Sequence, residues 1–317
     1  MSLPVYASPL ERVWHYTRLV ICAIIFLFLI APILIIMPLS FNVEPYFTFT
    51  DKMLAFDPSG YSLRWYDLLL TQPSIPNDVP RDAAWWGEVW QKSAWVNAAK
   101  NSIIIGFFAT IVATVLGTIA ALGLSRPEMP NRRLIMAILI SPMIVPIIIT
   151  ATGLFFFYSS PCALIEWTGL SQYCGRLTSS YTGVVLAHAT LGIPFVIITV
   201  TATLIGFDQS LNRAAASLGA PPTTTFFKVT MPLILPGVVS GALFAFVTSF
   251  DEVVVVLFVA AHDQQTIPRQ MWNGIREQIS PAILSVATIL VVISVGMLAT
   301  LEILRRRSER LRGVTPT

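Results

Sequence analysis

Six stretches of the chain are apolar over the length that a bilayer crossing demands, about 20 residues for the roughly 30 Å hydrocarbon core. They run Leu19–Phe41, Ser102–Leu124, Leu134–Tyr158, Thr182–Phe207, Leu233–Ala261 and Ala282–Leu304, and predict six transmembrane helices. Pro32 and Pro38 interrupt the first. Pro142, Pro146, Pro194 and Pro236 fall inside later ones, where kinks are expected. The first stretch exceeds the apolar region of a signal peptide, about 7–15 residues, and no small-residue cleavage site follows Met37-Pro38-Leu39. It is read as an uncleaved helix, 19–41, behind a short N-terminal segment, 1–18. A long loop, 42–101, separates it from a five-helix region, 102–304, and a basic tail, 305–317, closes the chain.

Composition points the same way. Hydrophobic residues make up 55% of the 317 positions and charged residues only 12%, with mean hydropathy +0.72. A soluble domain carries about 25% charged residues, so a soluble fold of this size is excluded. Disorder is excluded by the same figures, because disordered chains are poor in apolar residues and rich in charge.

The net charge of +3 is small, but its distribution orients the chain. With the N-terminus inside, the inner segments hold Arg12, Arg18, Arg126, Arg132, Arg133, Arg213, Lys228, Arg305, Arg306, Arg307, Arg310 and Arg312. These are 12 of the 20 basic residues, on short loops and tails. Both termini are therefore expected in the cytoplasm. The outer loop 42–101 brings Trp85, Trp86, Trp90 and Trp95 close together, which predicts a short amphipathic helix along the outer membrane surface.

Cys22 reads as a small buried apolar residue of the first span. Cys162 and Cys174 share the outer loop between spans three and four. In an oxidising compartment they can close a 13-residue disulfide loop; two free thiols are the alternative. Catalytic patterns are missing. No G-x-x-x-x-G-K-[ST] phosphate loop occurs, so ATP hydrolysis by this chain alone is not expected, and no G-x-S-x-G elbow occurs either. His15, His188 and His262 are too dispersed to suggest a metal site, so neither metal nor cofactor is expected on this chain.

The inner segment between spans four and five, 208–232, carries the most specific pattern. Asp208 reads as a helix N-cap, Ala214–Leu218 favour helix, and Gly219 is a natural stop. Pro221 and Pro222 then start a second short helix. The prediction is a helix-turn-helix elbow on the cytoplasmic face. This elbow resembles the loop of binding-protein-dependent ABC importer permeases, written E-A-A-x-x-x-G, nine residues, then I-x-L-P. Ala214, Ala215 and Gly219 match, Ala220 opens a nine-residue spacer ending at Lys228, and Pro232 matches. Val229 and Met231 replace the Ile and Leu, and Arg213 stands where the family has Glu.

The resemblance covers residues 100–305. It implies an all-α integral membrane protein with the type I ABC importer permease fold, a cytoplasmic coupling helix lying between helices four and five. It further implies docking of Arg213–Ala220, Leu218 included, on an ATP-binding subunit. Two such subunits would carry ATP and Mg. A second, paralogous permease and a periplasmic solute-binding protein complete the implied assembly, in a bacterial inner membrane.

Span five contains Ser249-Phe250-Asp251-Glu252 followed by Val253–Val256. Acids inside a span are costly and tend to face a cavity or a partner; the alternative is that the helix ends there with both acids in water. This string, with Pro268 and Ser280-Pro281, looks like the spermidine/putrescine branch of the family. Asp251 and Glu252 would then attract ammonium groups, with Phe250 adding cation–π contact. An opine or amino-acid-like solute is the alternative within the same class. His188, in span four, either lines the same path or is a buried histidine bonded to a neighbouring helix. The rival from another class is an ATP-independent secondary transporter, which predicts an internal repeat; no convincing repeat relates the two halves.

Overall fold

The computed structural model describes residues 8–76, 79–126, 128–160, 175–208, 210–277 and 281–311, and every regular element among them is helical. Cys162 and Cys174 lie outside the described residues. The chain divides into two compact units, 1–78 together with 274–317, and 79–273.

In the first unit, helix α1 spans Pro9–Leu39 and starts ten residues before the apolar stretch that predicts it. The reason is a capping box. Ser8 Oγ accepts from the Glu11 amide at 3.3 Å, Glu11 Oε2 accepts from the Ser8 amide at 2.8 Å, and Pro9 occupies the first turn. The most apolar stretch of α1 buries nothing inside the chain, as a lipid-facing helix requires.

The segment that follows is folded rather than irregular. Asn42 is fully buried and organises it: Nδ2 donates to the carbonyls of Tyr46 and Thr48 at 3.1 and 2.9 Å, and Oδ1 accepts from the Glu44 amide at 3.0 Å. Its backbone carbonyl accepts from Trp65 Nε1 at 2.7 Å. Around this hub lie the one-turn helix α2 (Asp51–Leu54), a 3₁₀ turn at Pro58–Gly60 and α3 (Arg64–Thr71). The last helix of the chain, Ala282–Leu311, packs on both α1 and α3, and Ser285 Oγ donates to the Ser40 carbonyl at 3.3 Å.

The second unit opens with α4 (Ala83–Lys92), the expected aromatic helix, which buries Trp85 and Val89 and exposes Trp86 and Trp90. Only Ser93 separates it from α5 (Ala94–Leu124), so α5 begins eight residues before the predicted span, inside what reads as loop. Next come α6 (Arg132–Ile144), α7 (Ile147–Ser159) and α8 (Tyr181–Ile205). After α8 lie α9 (Ser210–Ser217), α10 (Pro222–Thr225), α11 (Met231–Asp251), α12 (Val254–Val259) and α13 (Ile267–Glu277). The Ala282–Leu311 helix is therefore α14.

The core of this unit is the mutual packing of α5, α8 and α11, and small residues make it possible. Ala109 and Ala113 of α5, Ala189 of α8 and Ala245 of α11 are all buried in one cluster. A Cβ on Gly192 would stand 2.9 Å from Ala245 Cβ and 3.1 Å from Ala113 Cβ, so the three helices meet there at backbone distance. Close approach of this kind holds membrane helices together where no hydrophobic driving force separates them from lipid.

The predicted third span is not one straight helix. α6 and α7 meet at 101°. Pro146 has no amide to continue the ladder, and it forces Val145 into an extended conformation, φ −67° and ψ 136°. Among the described residues four helices are long and apolar enough to cross a membrane, or five if α6 and α7 form one broken span. The sixth predicted span falls in α14, whose described apolar stretch, Ala282–Gly296, is shorter than a crossing needs.

Candidate functional site

Two places in the second unit carry the residues singled out by the sequence, the elbow 208–232 and the far end of α11. At the elbow, Asp208 opens the turn: Oδ1 accepts from the Ser210 amide at 2.8 Å and Oδ2 from the Ser210 hydroxyl at 2.7 Å. Those hydrogen bonds, with the nearby Arg213 guanidinium adding to them, hold the Asp208 carboxyl below the usual carboxylate range.

α9 ends in a Schellman motif. The Ala220 amide donates to the Ala215 carbonyl at 3.0 Å and the Gly219 amide to the Ala216 carbonyl at 2.9 Å, with Gly219 at φ +79°. This turn leaves Leu218, directly before the glycine, 88% exposed. Arg213 and Ala214 are exposed as well, while Ala215 and Ala220 are half-buried. Thr230 Oγ1 donates to Asn212 Oδ1 at 3.2 Å and ties α9 to the base of α11.

The expected second helix of the elbow is continuous with α11. α10 runs into a π-helical turn, Phe226–Thr230, and the Met231 amide donates to the Phe226 carbonyl. Pro232 accounts for the widened turn: it cannot donate to the Lys228 carbonyl, and its ring crowds that group. The elbow is thus α9 plus a continuous helical extension of α11 at its N-terminal end, with Phe227 exposed on it.

At the far end, α11 stops at Asp251 and the two acids part. Asp251 is exposed. Glu252 is only 7% exposed, and its Oε1 accepts from the Val255 amide at 2.8 Å, in the first turn of α12. Phe250 is half-buried and stacks on Phe246, with ring centroids 5.8 Å apart. His188 of α8 is fully buried, and its Nδ1 is hydrogen-bonded to Ser249 Oγ of α11 at 2.7 Å. Histidine and Ser249 therefore join α8 to α11, within one turn of the exposed Asp251 but not open beside it.

Several organising residues here are not apparent from the sequence. Arg269 of α13 sends Nη1 to the carbonyls of Val256 and Ala260 at 2.8 and 2.9 Å, closing the C-terminal end of α12. Asn101 of α5 donates to the carbonyls of Asp263 and Gln265 at 2.8 and 2.9 Å, and the Tyr181 hydroxyl of α8 reaches Asn101 Oδ1 at 2.9 Å. Ser102 Oγ accepts from the Ile267 amide at 2.9 Å. The partners are 80 or more positions apart or join side chains to carbonyls, and neither leaves a local signature. The only hint is their polarity at the ends of apolar runs. Among the described residues no group of histidine, cysteine and acidic side chains could hold a metal ion.

The family of binding-protein-dependent transport system inner membrane components matches residues 113–310. The putrescine transport system permease protein PotI of Escherichia coli (strain K12) is 30% identical over 316 residues, 99% of this chain and 97% of that protein. The spermidine/putrescine transport system permease protein PotC of Haemophilus influenzae is 28% identical over 286 residues, 90% of this chain and 95% of that one. A crystal structure of a bacterial ABC transporter involved in the import of the acidic polysaccharide alginate shares the fold. Its TM-score is 0.63 at 16% identity, over 94% of this chain and 99% of that one. With the family match taking in the C-terminal part of α5, all of α8 and α11, and the elbow, this chain belongs to the membrane-embedded permease components of binding-protein-dependent ABC importers.

Proposed function

We propose that this permease forms half of the passage of an ATP-driven importer for a small organic cation, a polyamine such as putrescine or spermidine. The observation that carries the reading is end-to-end similarity to a putrescine permease, over 99% of this chain, joined to an exposed Asp251 at the end of α11. A carboxylate there attracts ammonium groups weakly enough to release them, as a conduction path requires, and the half-buried Phe250 offers a ring face beside it.

The elbow supplies the drive. Arg213–Ala220 docks on an ATP-binding subunit, with the exposed Leu218 as its apolar knob and Arg213 seeking an acid on that partner. The Thr230–Asn212 bond and the continuous α10–α11 rod carry displacement of the elbow into the α5–α8–α11 core. Two ATP-binding subunits hold ATP and Mg, a second permease of related sequence supplies the other half, and a periplasmic binding protein delivers the solute. All six predicted spans cross the inner membrane, with both termini in the cytoplasm.

The test is uptake of radiolabelled putrescine by cells lacking other polyamine importers and expressing this permease with its partner subunits. ATP-dependent uptake is expected, competed by spermidine and not by neutral amino acids. Uptake that persists without an ATP-binding subunit and follows an ion gradient would overturn the importer; competition by amino acids alone would overturn the cation.

A further inference from the structure

We infer that Glu252 and Arg269 are positioning residues, one at each end of α12, which hold the stretch 252–269 as one stiff piece beyond α11, and that Glu252 acts by this capping and not by binding the transported cation. The first half stands on geometry alone; the second rests on the importer reading above.

α12 has six residues, all apolar, with no side chain of its own able to cap either end. An isolated helix that short is not stable in water, so its packing and the groups that meet its ends decide whether it forms. Both ends are met by a charge of the helpful sign. The Glu252 carboxylate sits against the N-terminal amides and the Arg269 guanidinium against the C-terminal carbonyls. Each complements the partial charge of the helix dipole there, and hydrogen bonds to an ionised partner are the stronger kind. Among the described residues no carboxylate lies within ion-pair distance of Arg269, so its charge is directed at α12 and not at an acid.

Burial completes the clamp. Val255, Val256 and Val259 are closed off in a cluster with Ala151 and Tyr158 of α7 and Val184 of α8. The Ser179 amide donates to the Val259 carbonyl at 2.8 Å. Past α12 the chain is tied down again by Asn101, Ser102 and Tyr181. A buried carboxylate already engaged with a backbone amide is poorly placed to meet a mobile ammonium ion, whereas its neighbour Asp251 is exposed. Adjacent acids therefore divide the work.

The test uses the intact assembly purified with its accompanying subunits, read by amide hydrogen exchange over residues 253–261 and by putrescine uptake kinetics. Glu252→Gln keeps an accepting oxygen and removes the charge; a rise in exchange of about twofold at most, smaller than in Glu252→Ala, and a KM within about twofold of wild type are expected. Glu252→Ala and Arg269→Met remove one cap each; exchange in this stretch is expected to rise about fivefold to tenfold, with Vmax lower and KM within about twofold. Two results would overturn the inference. One is a KM raised about fivefold or more in Glu252→Gln with exchange unchanged, which would make the carboxylate a substrate group. The other is wild-type exchange in both capping-deficient variants. If the wild-type assembly takes up no putrescine, the cation reading fails, while the exchange data still decide the clamp.

Discussion

Gly219 isolates a backbone effect from a packing effect. Its φ of +79° lies in the left-handed region, yet a Cβ built on it would meet nothing within 4 Å. A substitution there is penalised by conformation alone, about 1–3 kcal/mol for a side chain that resists this region, least for asparagine. The two Schellman hydrogen bonds that present Leu218 depend on that conformation. Gly219→Val should therefore leave the protein inserted and assembled while cutting uptake about tenfold or more, with ATP hydrolysis no longer stimulated by loaded binding protein. Gly219→Asn should keep most of the activity. Measuring both rates in proteoliposomes separates the cases, and equal loss in the two variants would mean that the space beyond the glycine matters and not its φ.

The elements differ sharply in what surrounds their glycines, and this gives opposite predictions for substitutions of the same kind. Gly192 lies where α5, α8 and α11 touch, so Gly192→Val overpacks the core by about 1–3 kcal/mol. That should lower the apparent Tm in detergent by roughly 2–10 °C. Gly87, in the interior of α4, faces open space. Gly87→Ala should stabilise α4 by about 0.5–1 kcal/mol and raise Tm slightly, because alanine loses less backbone entropy in a helix. Thermal scans of the two variants decide the matter, and a Tm rise in Gly192→Val would refute the close three-helix contact. The same scale explains what the sequence revealed. Long apolar runs made the helices legible, and Ala214, Ala215 and Gly219 made the elbow legible, because each reflects local chemistry. Asn42 was not legible as a hub, nor Glu252 as a cap distinct from Asp251. Their roles depend on which way a side chain turns and on partners such as Trp65, 23 positions away. The break in the third span was half legible: Pro146 announced a kink, but a proline alone does not fix an angle of 101°.

Across the whole molecule the proposed coupling depends on sidedness, because the elbow can meet an ATP-binding subunit only from the cytoplasm. The 12 basic residues assigned to inner segments predict that side by the electrostatic preference of Lys and Arg for cytoplasmic loops, in which acids count for little. Sidedness is open to direct measurement with single cysteines in a background where Cys22, Cys162 and Cys174 are replaced. Ser59 and Ser217 are both exposed, one in the folded segment after α1 and the other in the last turn of α9. In intact spheroplasts a membrane-impermeant maleimide should label Ser59→Cys at once and Ser217→Cys only after permeabilisation. Labelling of Ser217→Cys from outside would invert the chain and remove the elbow from any cytoplasmic ATPase. It would also leave Asp251 on the wrong side to receive a solute delivered from the periplasm. The two ends of α11 are thus a single topological statement: the Pro232 end answers to ATP only if the Asp251 end answers to the outside.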